Sequence, residues 1–470
     1  MEIRITKRDV IWNYIAQFFN LGSGLIVLPF VLHQLSPDEV GMNYLMLSVS
    51  TLVALADFGF SNQFGRNITY VFSGAKELKK EGMSDLPVAQ INYHLLFVVI
   101  ETAKYIYRRI SIFVLVMMLT LGTLYMYRAT DGFSTVPQSL YIWILFSLAT
   151  YYNMYFMYYE ALLTGAAMIM ESKKALMLNR ITYIIICLVL LFVGCGLISI
   201  VVASFISPFI GRWYSYKVFY NREIRESLAG HTTNSDEIKE TFNVLWCNAK
   251  KLGINFLGAY GIQQSGTFII GLFLPLKDVA SYGLMCQLFQ ISTGVSMGIF
   301  TTLLPVFYKE RVEQNTEQLL KDFSLSAFVY IAVFFVCGFV IVVFGTPLLN
   351  LIGSSTKLPI LMVVVTYFLH MLLENFHSMC ATMIVTNNEV PFVKAAIFSG
   401  LLIVLCNLFS LIFTTLGLFG VVLGQFVVQS FYNHWRWPMW VFKDLNLSPG
   451  RMLQIGLQES CRRINNIVRS

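Results

Sequence analysis

Tyr220–Thr241 reads YNREIRESLAGHTTNSDEIKET, the longest polar run in a chain of 470 residues, and it falls almost at the midpoint. Six runs on each side are apolar for long enough to cross roughly 30 Å of hydrocarbon as helices. They lie near 11–32, 42–66, 109–127, 139–164, 176–195 and 197–216, then near 252–274, 280–307, 323–346, 359–385, 392–415 and 417–441. The polar stretch therefore reads as a linker between two bundles, and the chain as an all-α polytopic membrane protein with about twelve transmembrane helices. Six is even, so a duplicated second half keeps the orientation of the first, giving a parallel pseudo-repeat around a central polar cleft. Asn13 and Asn20 recur as Asn248 and Asn255, while Leu35, Val40, Leu45 and Gly59 recur as Leu274, Val279, Leu284 and Gly298. The expected divisions are a first six-helix bundle over 1–216, a cytoplasmic linker over 217–245, a second six-helix bundle over 246–442 and an amphipathic tail over 443–470.

Composition agrees: 56% hydrophobic and 13% charged residues are outside the range of soluble globular chains. The net charge of +7 is interleaved between apolar runs and forms no single patch, so lipid bilayer is the expected environment and nucleic acid is not a partner. With the N-terminus in the cytoplasm, all of the 33 Lys and Arg residues except Arg128, Lys277 and Lys357 fall on the cytoplasmic side or just inside the span ends. Both termini are then cytoplasmic. The first run is too long and too polar for a cleaved leader and reads as a retained span. Eight cysteines lie in or beside spans with no C-x-x-C, so neither a disulfide nor a metal centre is expected. Pro87–Tyr107 and the tail from Met452 to Arg469 each alternate apolar and charged residues at helical spacing, as interfacial helices do.

Ionisable groups within hydrocarbon are costly, so those inside the spans are the best site candidates. His370, Glu374 and His377 lie at i, i+4 and i+7 in the tenth run and share one helical face. Such a cluster suits a coupling proton or ion, or a packing network; as a metal site it offers ligands from one helix only. In the second run, Asp57 and Arg66 face opposite ways, and Arg66 shares its face with Asn62 and Gln63 in an arrangement able to hold a phosphate. Arg180 and Arg212, near the inner ends of the fifth and sixth runs, read either as phosphate contacts or as snorkelling headgroup anchors. Glu160 reads as a partner for one of them. The aromatic stretch YYNMYFMYYE, Tyr151–Glu160, aligns Tyr151 and Tyr155, a surface for sugar rings or an interfacial anchor. Amides at Asn13, Gln17, Asn20, Gln263 and Gln287 suit glycan hydroxyls and helix packing alike.

Leu32–Arg66, LHQLSPDEVGMNYLMLSVSTLVALADFGFSNQFGR, resembles the polysaccharide-transport family of the multidrug/oligosaccharidyl-lipid/polysaccharide flippase superfamily. Phe268–Gln290, FIIGLFLPLKDVASYGLMCQLFQ, and Thr301–Lys309, TTLLPVFYK, are similar to that family's seventh- and eighth-span region. The resemblance implies a flippase for undecaprenyl-diphosphate-linked repeat units of O-antigen or capsule, working by alternating access and coupled to a proton or sodium gradient. It also implies a bacterial inner membrane, no cofactor, and glycan polymerase and chain-length proteins as pathway partners. Arg66 takes the place of the family's second-span arginine, and Asp57 that of a second-span aspartate with a structural or gating role. Many relatives carry an acidic residue after the seventh-span glutamine, whereas Gln263 and Gln264 are followed here by Ser265, Gly266 and Thr267. A drug/cation antiporter shares the architecture, but cationic cargo favours carboxylates without nearby arginine. A glycan polymerase or lipid-linked glycosyltransferase shares the hydropathy, but the expected outer loops are too short for a catalytic domain, so no catalytic residue is assigned.

Overall fold

The computed structural model describes residues 7–79 and 91–469, and the chain divides into two compact units, Met1–Leu257 and Gly258–Ser470. Both are built of helices alone among the described residues.

The first unit begins with α1 (Lys7–Gln34) and α2 (Pro37–Ala54). The turn between them is a capping box. Ser36 Oγ accepts from Glu39 N, and the Ser36 backbone N–H donates to Glu39 Oε2 at 2.9 Å. Glu39 Oε1 also accepts from Leu197 N at 3.1 Å, so one carboxylate serves the starts of two helices. The second rod then breaks: Phe58 and Gly59 adopt φ of 48° and 81°, and α3 (Phe60–Phe72) resumes in a new direction. Asp57 holds this break. It is buried and accepts from Tyr107 Oη at 2.6 Å, Ser61 Oγ at 2.8 Å and Ser61 N at 3.3 Å.

Next, α4 (Tyr93–Met117) continues through a π-helical turn at Met118–Gly122 into α5 (Thr123–Ala129), one rod of 37 residues. The stretch up to Tyr107, expected to lie on the bilayer surface, is the first half of this rod from Tyr93 onward. Val99 and Ile106 pack in a core with Phe64 and Leu162, and the flanking Glu101 and Lys104 pair with each other at 2.7 Å. α6 (Ser139–Tyr155) and α7 (Tyr158–Gly165) form a broken fourth rod, followed by α8 (Ile169–Phe192) and α9 (Ile198–Phe219).

The central polar stretch is folded. It forms α10 (Arg222–Leu228) and the first turns of α11 (Ser235–Gln263). Asn234 Oδ1 accepts from Glu237 N at 2.8 Å while Glu237 Oε2 accepts from Asn234 N and Thr233 Oγ1. Those donors, Thr233 first, hold the Glu237 carboxyl below the usual carboxylate range, and His94 of α4 meets it at 3.1 Å. Phe242 and Trp246 then stack against Phe60, fixing the start of α11 to the first unit.

The second unit contains the end of α11, then α12 (Ser265–Phe273), α13 (Leu276–Ser296), α14 (Gly298–Val312), α15 (Thr316–Leu351), α16 (Leu361–Val385), α17 (Val393–Phe413), α18 (Gly417–Phe431), α19 (Asn433–Asp444) and α20 (Pro449–Arg469). α13 and α14 meet at a 46° bend. Gly298, the counterpart of Gly59, stands at that bend, and Val40, Val279, Leu45 and Leu284 are all buried. α20 packs on α15: a Cβ at Gly456 would stand 2.4 Å from the Ser324 carbonyl, Met452 is buried and Arg463 pairs with Asp322. The tail thus spends much of its apolar face on protein, leaving Leu453 and Leu457 exposed.

Large apolar side chains such as Phe113, Leu121 and Leu124 in the first unit and Phe335, Val336 and Phe339 in the second are exposed, as hydrocarbon-facing surfaces require. Among the described residues six helices qualify as spans by length and apolarity, or seven when α13 and α14 count as one. The other expected runs correspond to α1, to the interrupted rods α6/α7, α11/α12 and α18/α19, and to α16, where His370, Glu374 and His377 interrupt the apolar sequence.

Candidate functional site

Each unit carries a polar constellation in its interior. In the first, a cavity of about 420 Å³ is lined by Arg212, Asn153, Asn179, Ser172, Ser215 and Glu160, among others. The break between α6 and α7 builds it. Helix termination leaves carbonyls short of intrahelical donors, and Arg212 of α9 adds them: its Nη2 donates to Asn153 O at 3.0 Å and Asn153 Oδ1 at 2.9 Å, and its Nη1 to Tyr152 O at 3.4 Å, which also accepts from Phe156 N. The guanidinium also stands 4.7 Å from the Tyr152 ring centroid. A cation at a helix C-terminus is favoured by the macrodipole, so Arg212 is fixed in place by local structure while still bordering the cavity.

Arg66 and Arg180 are elsewhere. Arg66 is exposed on α3, donates to Gln63 Oε1 at 2.7 Å and stands 6.0 Å from the Tyr70 ring centroid. Arg180 is half-buried on α8. Neither lines the cavity. Tyr151 and Tyr155 stack on each other at 6.4 Å, but of the aromatic stretch it is Phe156 and Tyr159 that reach the cavity wall. Glu160 is exposed at its rim and forms no ion pair with Arg180 or Arg212 among the described residues. Gln263 is exposed at the end of α11 and Gln287 half-buried on α13. The side chains of Asn13, Gln17 and Asn20 lie outside the described residues.

In the second unit, α16 places His370, Glu374 and His377 together as their spacing predicts, and the structure adds His434 of α19. Glu374 Oε2 is 3.2 Å from His434 Nε2 and 3.5 Å from His377 Nδ1, while Glu374 Oε1 accepts from Gln429 Nε2 at 3.2 Å. His370 stacks near His434, with ring centroids 5.6 Å apart. His434 escaped sequence reading because it lies on another helix. Its signal was present: it and Gln429 flank the short break at Tyr432, and only six histidines occur in the chain.

The family model described as polysaccharide biosynthesis protein matches residues 6–311. The chain belongs to that family. The match covers Leu32–Arg66 and the seventh- and eighth-span motifs, where the resemblance was read. Among curated proteins none matches the chain. Among solved structures, an inward-facing multidrug resistance MATE family transporter of the MOP superfamily is 14% identical with a TM-score of 0.66, over 94% of this chain and 99% of that one. The lipid II flippase MurJ, in an inward closed conformation, is 13% identical with a TM-score of 0.63, over 96% of this chain and 90% of that one. At such identities the likeness is one of fold. This polysaccharide biosynthesis family member is therefore an all-α, multi-pass membrane protein with the fold those two structures share.

Proposed function

We propose that this protein is a flippase for undecaprenyl-diphosphate-linked oligosaccharide, moving O-antigen, capsule or exopolysaccharide repeat units from the cytoplasmic to the outer leaflet of a bacterial plasma membrane. It works by alternating access, is coupled to a proton or sodium gradient, and has both termini in the cytoplasm. The observation that carries this reading is the first-unit cavity, where one fixed guanidinium adjoins amides and hydroxyls. Arginine pairs with diphosphate oxygens, and Asn153, Asn179, Ser172 and Ser215 match hydroxyl-rich cargo. Arg66 and Arg180, outside the cavity, are assigned to earlier contact with the anionic headgroup. Arg212 at the wall also disfavours cationic drugs, the cargo of the alternative antiporter reading. The coupling cation is assigned to Glu374 with His370 and His377.

A test is deletion of the gene in its host. Lipid-linked oligosaccharide should accumulate and surface glycan should disappear, both restored by the wild-type chain. Normal surface glycan in the deletion strain would falsify the reading, provided no second flippase gene is present.

A further inference from the structure

Three of the six histidines in the chain converge on a single carboxylate. One ligand atom from each of His370, Glu374 and His434 lies within 4.8 Å of the others, and these three residues are 3%, 7% and 8% exposed. The single-helix objection to a metal site is removed, because α16 supplies two of the ligands and α19 the third.

The hydrogen bonding around the cluster is incomplete at its centre and complete at its edge. Nδ1 of His370 is buried without a hydrogen-bond partner, and Nδ1 of His377 has only the 3.5 Å approach to Glu374 Oε2. Buried polar atoms are ordinarily paired, so an orphaned imidazole nitrogen beside a carboxylate leaves room for a further binding partner. The periphery is fixed: His434 Nδ1 meets Ser430 Oγ at 3.0 Å, which directs Nε2 toward Glu374. Gln429 holds Glu374 Oε1 and accepts from Asn433 Nδ2 at 2.6 Å, and Asn433 also donates to Ser399 Oγ at 2.9 Å. When the Nδ1 proton of His434 is donated to Ser430, its Nε2 lone pair faces the carboxylate, an arrangement that a cation between the two stabilises. Outer partners that set imidazole tautomer and carboxylate orientation are the usual support of a metal centre.

Two imidazoles and one carboxylate are borderline donors. They suit zinc and its neighbours in the transition series, whereas calcium and magnesium take oxygen ligands. We propose that His370, Glu374 and His434 form a binding site for one divalent transition-metal ion of the zinc class, with His377 or water completing the coordination. The site does not depend on the identity of the cargo. Occupancy ties α16 to α19 and competes with any coupling cation for Glu374.

The full chain, purified in detergent without an oligohistidine tag and stripped with a chelator, would be titrated with cobalt(II) alone. The expected result is visible d–d absorption of a tetrahedral ion saturating at one equivalent per chain and bleached by zinc. His434→Gln and His370→Gln should each weaken cobalt binding about tenfold or more, with Ser430→Ala causing a smaller loss. Absence of a saturable cobalt band in the wild-type protein overturns the proposal, and so does unchanged affinity in a His434→Gln protein that elutes as a folded monodisperse species. Because the first criterion uses the wild-type chain, a misfolded variant cannot protect the idea.

Discussion

Tyr107 of α4 donates a 2.6 Å hydrogen bond to Asp57, the residue at which the second rod breaks. Both side chains are buried, so the phenol partners a carboxylate that has little access to water. Tyr107→Phe should destabilise the protein by about 1–3 kcal/mol, the range for a buried polar group deprived of a partner. Thermal unfolding in detergent measures this, and an unchanged midpoint would show that the break at Asp57 is held by other means.

A Cβ at Gly165 would stand 2.6 Å from the Gly65 carbonyl and equally close to Ile68 Cβ. α7 therefore approaches α3 as near as it does because Gly165 carries no side chain there, and Thr69 Oγ1 bonds Gly165 O at 3.0 Å across the contact. Gly165→Val should lower stability by about 1–3 kcal/mol through overpacking. Gly450, whose Cβ would meet nothing within 4 Å, is the control: Gly450→Ala should leave the unfolding midpoint unchanged.

Arg212 is both a cap on the α6 carbonyls and the guanidinium of the cavity. Arg212→Lys keeps the charge but loses the planar fork whose Nη2 serves Asn153 O and Oδ1 and whose Nη1 serves Tyr152 O. Surface glycan should be lost in Arg212→Gln and reduced in Arg212→Lys, at membrane levels of protein equal to wild type. Full glycan in a stably inserted Arg212→Gln protein would confine this arginine to a structural role.

Glu237 closes the start of α11 through Thr233 and Asn234, whose hydrogen bonds favour its ionised form and hold its carboxyl below the usual carboxylate range in the folded chain. A depressed folded value means that the stabilisation is present above the ordinary carboxylate range and is lost as pH falls through the lowered value. Hydrogen exchange at the first amides of α11, corrected for intrinsic rates, should therefore quicken at acid pH in wild type. In Glu237→Gln it should already be quick at neutral pH, and identical profiles in the two proteins would contradict the cap.

Much of the fold was legible because hydrocarbon imposes one rule on every span: long apolar runs become helices. What the pattern hid were the interruptions, since Phe58, Met157 and Tyr432 belong to otherwise apolar stretches and break for tertiary reasons. The segment after Tyr93 looked interfacial because Glu101 and Lys104 were counted singly, whereas they neutralise each other beside a buried face. The site was half legible. Helical spacing placed His370, Glu374 and His377 on one face, but no periodicity reaches from Glu374 to His434. Likewise Arg66, Arg180 and Arg212 look equivalent as inner-end arginines, and only the α6 break distinguishes Arg212.

The most direct test of the flippase reading follows the leaflet in which the glycan resides. Oriented membrane vesicles containing the purified protein would be loaded with undecaprenyl-diphosphate-linked oligosaccharide in the leaflet corresponding to the cytoplasm, and an ion gradient imposed. A membrane-impermeant sugar-oxidising reagent on the opposite side should then label the glycan in a protein-dependent manner, with labelling abolished by Arg212→Gln. Labelling that stays at the rate of protein-free vesicles would contradict the account.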